Sequence, residues 1–205
     1  KISVTHFSSD YKKISQLELS NDKKYNNYLL YVGNRSGYKN FASLVSAYAN
    51  SKILRKDFKI LVFGGEKASY CGQDLVLSEG FPPDSFKFVN GTNKDLEYLY
   101  KNVRAFIYTS VYEGFGIPLI ESMRSGCPII SSNGGALKEV GGSELSYFDP
   151  FNIEELQQKI EDMVYSEDNL SKSKIYGLKR CDNFSWSKCA TETLDVYKNL
   201  LQSIY

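Results

Sequence analysis

Short apolar runs of strand length alternate along this chain with amphipathic stretches of helical length, and no other feature constrains the fold as much. YLLYVG (28–33) precedes NFASLVSAYANS (40–51), and FKILVFGG (58–65) precedes a helical stretch near 73–79. FKFVN (86–90) leads to DLEYLYKNV (95–103), and RAFIYTS (104–110) leads to IPLIESMRSG (117–126). CPIISSN (127–133) and LSYFDP (145–150) continue the series. Strands that are apolar throughout, separated by helices, belong to a parallel sheet covered on both faces. The expected fold is therefore a doubly wound, Rossmann-like α/β domain over residues 28–184.

The two ends break the pattern. Residues 1–27 hold one short β-like run followed by polar sequence, and read as an interdomain linker. Because the chain opens on Lys1, a piece of a longer protein is expected. After Asn152 only helices follow, with Asn152 and Glu155 spaced as a capping box. Residues 185–205 form a last helix whose Trp186, Ala190, Leu194, Tyr197, Leu200 and Leu201 recur every three or four positions and make one apolar face.

Composition narrows the function. With 25 basic and 24 acidic residues in 205, the net charge of +1 carries no nucleic-acid footprint. No apolar run approaches the roughly 20 residues that span a bilayer. Cys71, Cys127, Cys181 and Cys189 show no metal-ligand or disulfide spacing, so reduced thiols and a cytoplasmic location are expected.

In a doubly wound sheet, ligands bind beyond the carboxyl ends of the strands, so the loops there carry the chemistry. In GNRSGYKN (33–40), Gly33 and Gly37 permit a bend, while Arg35 and Lys39 offer a diphosphate a planar fork and a mobile point charge. The same two cations also read as solvated loop charges. In SVYEGFGIPLIESM (110–123), Gly114 and Gly116 loosen the backbone and Pro118 suits a helix start. The N–H groups of Phe115, Gly116 and Ile117 would then lie at a helix N-terminus, which attracts phosphate. Glu113 falls before that helix and Glu121 in its opening turns, where a carboxylate accepts from vicinal sugar hydroxyls. A dipole-complementing Glu121 and a surface Glu113 are the plain alternative. SSNGGALKEVGG (131–142) is a glycine-rich turn into a short helix. The lone His6 lies in the linker and reads as incidental.

EGFGIPLIE has the Glu-x7-Glu spacing of retaining glycosyltransferases. From about Tyr28 onward the chain resembles the C-terminal half of family-four members with the GT-B fold. YLLYVGNRSGYKN, LVFGG, the long run from DLEYLY to KEVGG, YFDP and FSWSKCATETLDVYKNLL carry the likeness in order. Lys138 stands where the family often has proline before Glu-Val.

By that resemblance, Glu121 binds the nucleotide ribose and Glu113 a hydroxyl of the donor sugar. Arg35 and Lys39, with Gly33 and the amides of Phe115, Gly116 and Ile117, hold the diphosphate. The base lies along Phe88, Val89 and Asn90. The resemblance implies a hexosyltransferase acting on a glycan or lipid-linked acceptor, with a tilt towards surface-polysaccharide enzymes that use GDP-mannose. No cofactor or metal is expected, since Asp-x-Asp is absent. A second GT-B domain is expected as partner, with contact to the inner membrane through that half. The alternatives are a nucleotide-sugar-binding subunit or regulatory module that works with a separate catalytic partner, and a nucleotide-sugar epimerase.

Overall fold

The structure, a computed structural model, describes residues 2–14, 23–65, 74, 76–78, 80–82 and 84–202. Six strands make one wholly parallel sheet: β1 (Tyr28–Val32), β2 (Lys59–Phe63), β3 (Phe86–Val89), β4 (Ala105–Tyr108), β5 (Ile129–Ser132) and β6 (Ser146–Phe148). Their order is β3-β2-β1-β4-β5-β6. The helices are α1 (Phe41–Asn50), α2 (Lys52–Asp57), α3 (Asn93–Asn102), α4 (Ile117–Arg124), α5 (Leu137–Gly141), α6 (Ile153–Val164), α7 (Glu167–Arg180) and α8 (Trp186–Gln202). The helix expected near 73–79 and Cys71 fall largely or wholly outside the described residues.

Alternation along the strands explains the two layers. Leu29, Tyr31, Ile60, Val62, Ala105 and Ile107 join the core under α1, α2 and α6. Leu30, Leu61, Phe63, Phe106 and Tyr108 join the other, under α3, α4 and α5. β1, β2, β4 and β5 are therefore apolar on both faces, as the continuous runs predict, whereas Lys87 of the edge strand β3 is exposed.

Helix starts follow local hydrogen-bond chemistry. Thr92 and Asp95 form a reciprocal capping box at α3, two residues ahead of the start expected from the apolar period. At α6 the Asn152 side chain accepts from the Glu155 N–H as anticipated. The Glu155 carboxylate turns instead to the N–H of Asp149 at 2.9 Å, because the N–H of Asn152 already donates to the Asp149 carbonyl.

Residues 2–14 contain no strand among the described residues, yet four of them are buried. They run along the outward face of α4, with Ser8, Ser9, Tyr11 and Ile14 buried. The Arg124 guanidinium donates to the carbonyls of Tyr11 and Phe184 and to the Ser8 hydroxyl, and the N–H of Ile14 donates to the Arg124 carbonyl. Trp186 at the start of α8 donates to Asp10 at 2.9 Å. Beyond that anchor α8 has no buried side chain among the described residues, and its Leu194, Tyr197, Leu200 and Leu201 stand exposed.

Removing the Arg124 head group strands acceptors on this segment, each unmade bond costing about 1–3 kcal/mol. Arg124→Met is therefore expected to lower stability by about 2 kcal/mol or more. It should also speed amide exchange at Ile14 well beyond that in β1, as read by hydrogen-exchange mass spectrometry.

Candidate active site

The strand order reverses direction between β1 and β4, so the loops leaving these adjacent strands diverge to opposite sides and leave a crevice at the carboxyl edge. Lys39 comes from the first loop and Glu113 from the second, and they meet across the crevice with Nζ to Oε1 at 2.7 Å. Two bonds stitch the loops together: Thr109 Oγ1 donates to the Lys39 carbonyl at 2.8 Å, and the N–H of Val111 donates to the Tyr38 carbonyl at 2.7 Å. The Lys39 ammonium also lies 5.2 Å from the ring of Tyr38 and 5.4 Å from that of Tyr108, which adds cation–π attraction. The side chains of Lys39 and Glu113 are only 17% and 12% exposed, so screening by water is weak. Burial, and then the charge of Glu113, push the Tyr108 phenol up.

Backbone geometry fixes Glu113 from a third loop. A Cβ at Gly134 would strike the carbonyl of Val111, and one at Gly135 (φ +60°) would strike the Glu113 carbonyl. The N–H of Ala136 donates to that same carbonyl at 2.9 Å. The two glycines thus allow the loop after β5 to lie directly against the backbone that carries Glu113.

The remaining predicted residues border the same edge in distinct surroundings. Gly33 (φ +128°) leaves room for the Lys39 side chain, whose Cδ would lie 3.6 Å from a Cβ there. Arg35 does not share Lys39's acid. It donates to the Gly64 carbonyl at 3.1 Å and lies 5.3 Å from the ring of Phe88. Val89 and Asn90 close β3, with the Val89 carbonyl accepting from Gly64. Gly116 (φ +98°) caps α4 and Pro118 is its second residue. No acceptor among the described residues takes the N–H groups of Phe115, Gly116 or Ile117. The Phe115 ring packs on His6, Phe7 and Phe184. His6 Nε2 also meets Glu139 Oε1 at 2.8 Å.

Glu121 occupies a different environment from Glu113. It sits in the second turn of α4, under residues 8–14, and its carboxyl is raised from 4.5 to about 7 by burial first and by Asp10 second. Neither the approach of Lys39 to the rings of Tyr38 and Tyr108 nor the Asp10–Glu121 proximity was marked in the sequence. Both join residues far apart in the chain.

A separate cavity lies elsewhere. About 980 Å³ in volume, it sits between α6, α7 and the loop before β6. Two of the four cations that line it are committed: Lys172 pairs with Asp168, and Arg180 donates to the carbonyls of Glu139 and Val140. Among the described residues no three His, Cys, Asp or Glu side chains gather closely enough to hold a metal ion.

Comparison with known proteins fits this geometry. The family model for glycosyl transferases group 1 matches residues 12–180. The chain belongs to the group 1 glycosyltransferases. It is 31% identical over 187 residues to O-antigen chain mannosyltransferase B of Escherichia coli, covering 84% of this chain and 46% of that protein. It is 34% identical over 112 residues to the serotype-specific mannosyltransferase WbdA of the same species, covering 55% of this chain and 14% of WbdA. The chain thus spans less than half the length of these curated relatives. Among solved structures, sucrose-phosphate synthase from Thermosynechococcus elongatus superposes with a TM-score of 0.76 at 24% identity, covering 92% of this chain and 48% of that one. The lipopolysaccharide outer core galactosyltransferase WaaB superposes with a TM-score of 0.73 at 17% identity, covering 99% and 56%. These likenesses show the fold: this group 1 chain is the Rossmann-like half of a GT-B architecture, as the order of its motifs predicts.

Two measurements probe the acids separately. Breaking a buried ion pair by removing one partner costs about 3 kcal/mol, whereas replacing both with apolar groups is near neutral. Lys39→Met and Glu113→Leu should each lower the urea unfolding free energy by about that much, and the double variant by far less than their sum. For Glu121, a folded pKa above the unfolded value means that folding takes up a proton, so its contribution falls as pH climbs from 4.5 towards 7. Glu121→Gln should remove that part of the pH slope and melt above the parent at pH 8.

Proposed function

We propose that this chain is the donor-binding half of a retaining hexosyltransferase, and that it transfers a hexose from a nucleotide sugar to a glycan or lipid-linked acceptor. The carrying observation is the Lys39–Glu113 pair at the crevice beside the start of α4, where three backbone N–H groups have no acceptor among the described residues. Positive charge and amide dipoles gathered there suit a diphosphate, and Glu113 behind Lys39 suits a hydroxyl of the sugar attached to it. Arg35 approaches the same crevice from the Gly64 side, and the base lies along Val89 and Asn90. Glu121 takes the ribose hydroxyls.

The reaction breaks the bond from the anomeric carbon to the diphosphate oxygen and forms a bond from that carbon to an acceptor oxygen. The acceptor's proton passes to the released diphosphate. Lys39, Arg35 and the α4 amides stabilise the charge that develops on the leaving group. The donor is GDP-mannose, a choice supported by the mannosyltransferase names of the relatives. The other half of the GT-B fold, in this chain or a separate one, supplies the opposite wall and covers the exposed face of α8. The site works in the cytoplasm, with inner-membrane contact through that other half.

Calorimetric titration with GDP, UDP and ADP tests the reading. GDP should bind, and Glu121→Ala should weaken it on the order of tenfold, the worth of one hydrogen bond to a charged group. Binding should tighten from pH 6 to pH 8 in the parent, because a carboxylate accepts from hydroxyls more strongly than the neutral acid does. Equal, pH-independent affinity in parent and variant would remove Glu121 from the site.

A further inference from the structure

Three aromatic side chains stand exposed on the carboxyl edge, one on each of three different loops. Tyr38, after β1, is 57% exposed; Tyr112, after β4, is 66% exposed; Phe151, after β6, is 77% exposed. Aromatics within the same strands, Tyr31, Tyr108 and Phe148, are fully buried. The exposed rings are therefore not core residues left over at a strand end. Each exposed tyrosine immediately precedes a member of the charged pair, Tyr38 before Lys39 and Tyr112 before Glu113.

Hydrogen bonds hold the three loops in register. The N–H of Val111 donates to the Tyr38 carbonyl at 2.7 Å, tying the backbone next to Tyr112 to Tyr38. The side-chain amide of Asn40 donates to the carbonyl of Pro150 at 2.8 Å, which sets Phe151 beside the end of the β1 loop. Asn40 holds this position with a left-handed backbone (φ 55°). Asparagine adopts that conformation more readily than other non-glycine residues, and here it caps the short turn of 37–39.

We propose that Tyr38, Tyr112 and Phe151 form a stacking platform for a neutral hexose ring of the acceptor glycan, placed against the Lys39–Glu113 pair. The proposal rests on the transferase reading above. A pyranose presents one face of C–H groups and a rim of hydroxyls, and amphipathic tyrosines match both, ring to face and phenol to hydroxyl. None of the three rings carries a charge, so the platform favours a neutral sugar over a uronate or phosphate-bearing one. Continuity with the donor crevice supplies the reason for this occupant, since the acceptor oxygen must come within bonding distance of the anomeric carbon. Isolated exposed rings are ordinary, but three on loops that hydrogen bonds tie together beside a charged pair make a patch of the kind that binds ligands.

Saturation-transfer NMR with α-linked mannobiose tests the platform, and a GDP titration of the same samples tests the donor reading separately. Saturation should build on the C–H protons of mannobiose with the parent and with Tyr98→Ala, an exposed tyrosine on α3 away from this edge. It should fall several-fold with Tyr112→Ala and with Phe151→Ala. Both rings are exposed, so these variants should keep the parent's melting temperature, which circular dichroism checks. Undiminished saturation in both variants overturns the platform, as does a parent that binds GDP but transfers no saturation to mannobiose. Saturation that depends on Tyr112 and Phe151 in a chain that binds no nucleoside diphosphate keeps the sugar platform and defeats the donor reading instead.

Discussion

An ion pair between Lys39 and Glu113 organises everything else at the carboxyl edge. Two charges held in a crevice lose much of their hydration, and they regain it only through close and well-supported contact. The support is visible on every side. Rings of Tyr38 and Tyr108 flank the ammonium, Thr109 anchors the backbone behind it, and Gly134 and Gly135 let a third loop press against Glu113. None of this would meet in a sheet of different order. The pair exists because β1 and β4 are neighbours whose following loops part in opposite directions.

The two acids of one short motif work in contrasting surroundings. Glu113 faces a cation and sits in a loop, whereas Glu121 lies on a helix beneath residues 8–14 with another carboxylate, Asp10, nearby. One acid is paired with a cation at 2.7 Å. The other is pushed towards neutrality near physiological pH, so its hydrogen-bonding character depends on what the covering segment does. That segment is fastened to Arg124 on α4 and to Trp186 on α8.

The sheet was legible in the sequence because burial on both faces leaves a continuous apolar signature, and Leu29–Tyr31 or Ala105–Tyr108 cannot be read otherwise. The loops that border the crevice were legible as glycine-bearing stretches beyond strand ends, but the meeting of Lys39 with Glu113 across it was not. Less was readable where partners are distant in the chain. Residues 2–14 look like polar linker, and their burial depends on Arg124, Phe184 and Trp186, more than a hundred positions away. Arg35 and Lys39 look equivalent in sequence, yet one turns to Gly64 and Phe88 and the other to Glu113, a choice made by tertiary packing. Thr92 went unmarked because its partner at the third helical position is Asp95, a shorter acid than the usual glutamate.

A crystal structure of the chain soaked with GDP-mannose tests the central claim most directly. The account predicts the diphosphate between Lys39, Arg35 and the amides of Phe115, Gly116 and Ile117, with the sugar against Glu113 and the ribose against Glu121. A nucleotide seated instead in the cavity between α6 and α7, with the Lys39–Glu113 pair untouched, would contradict it.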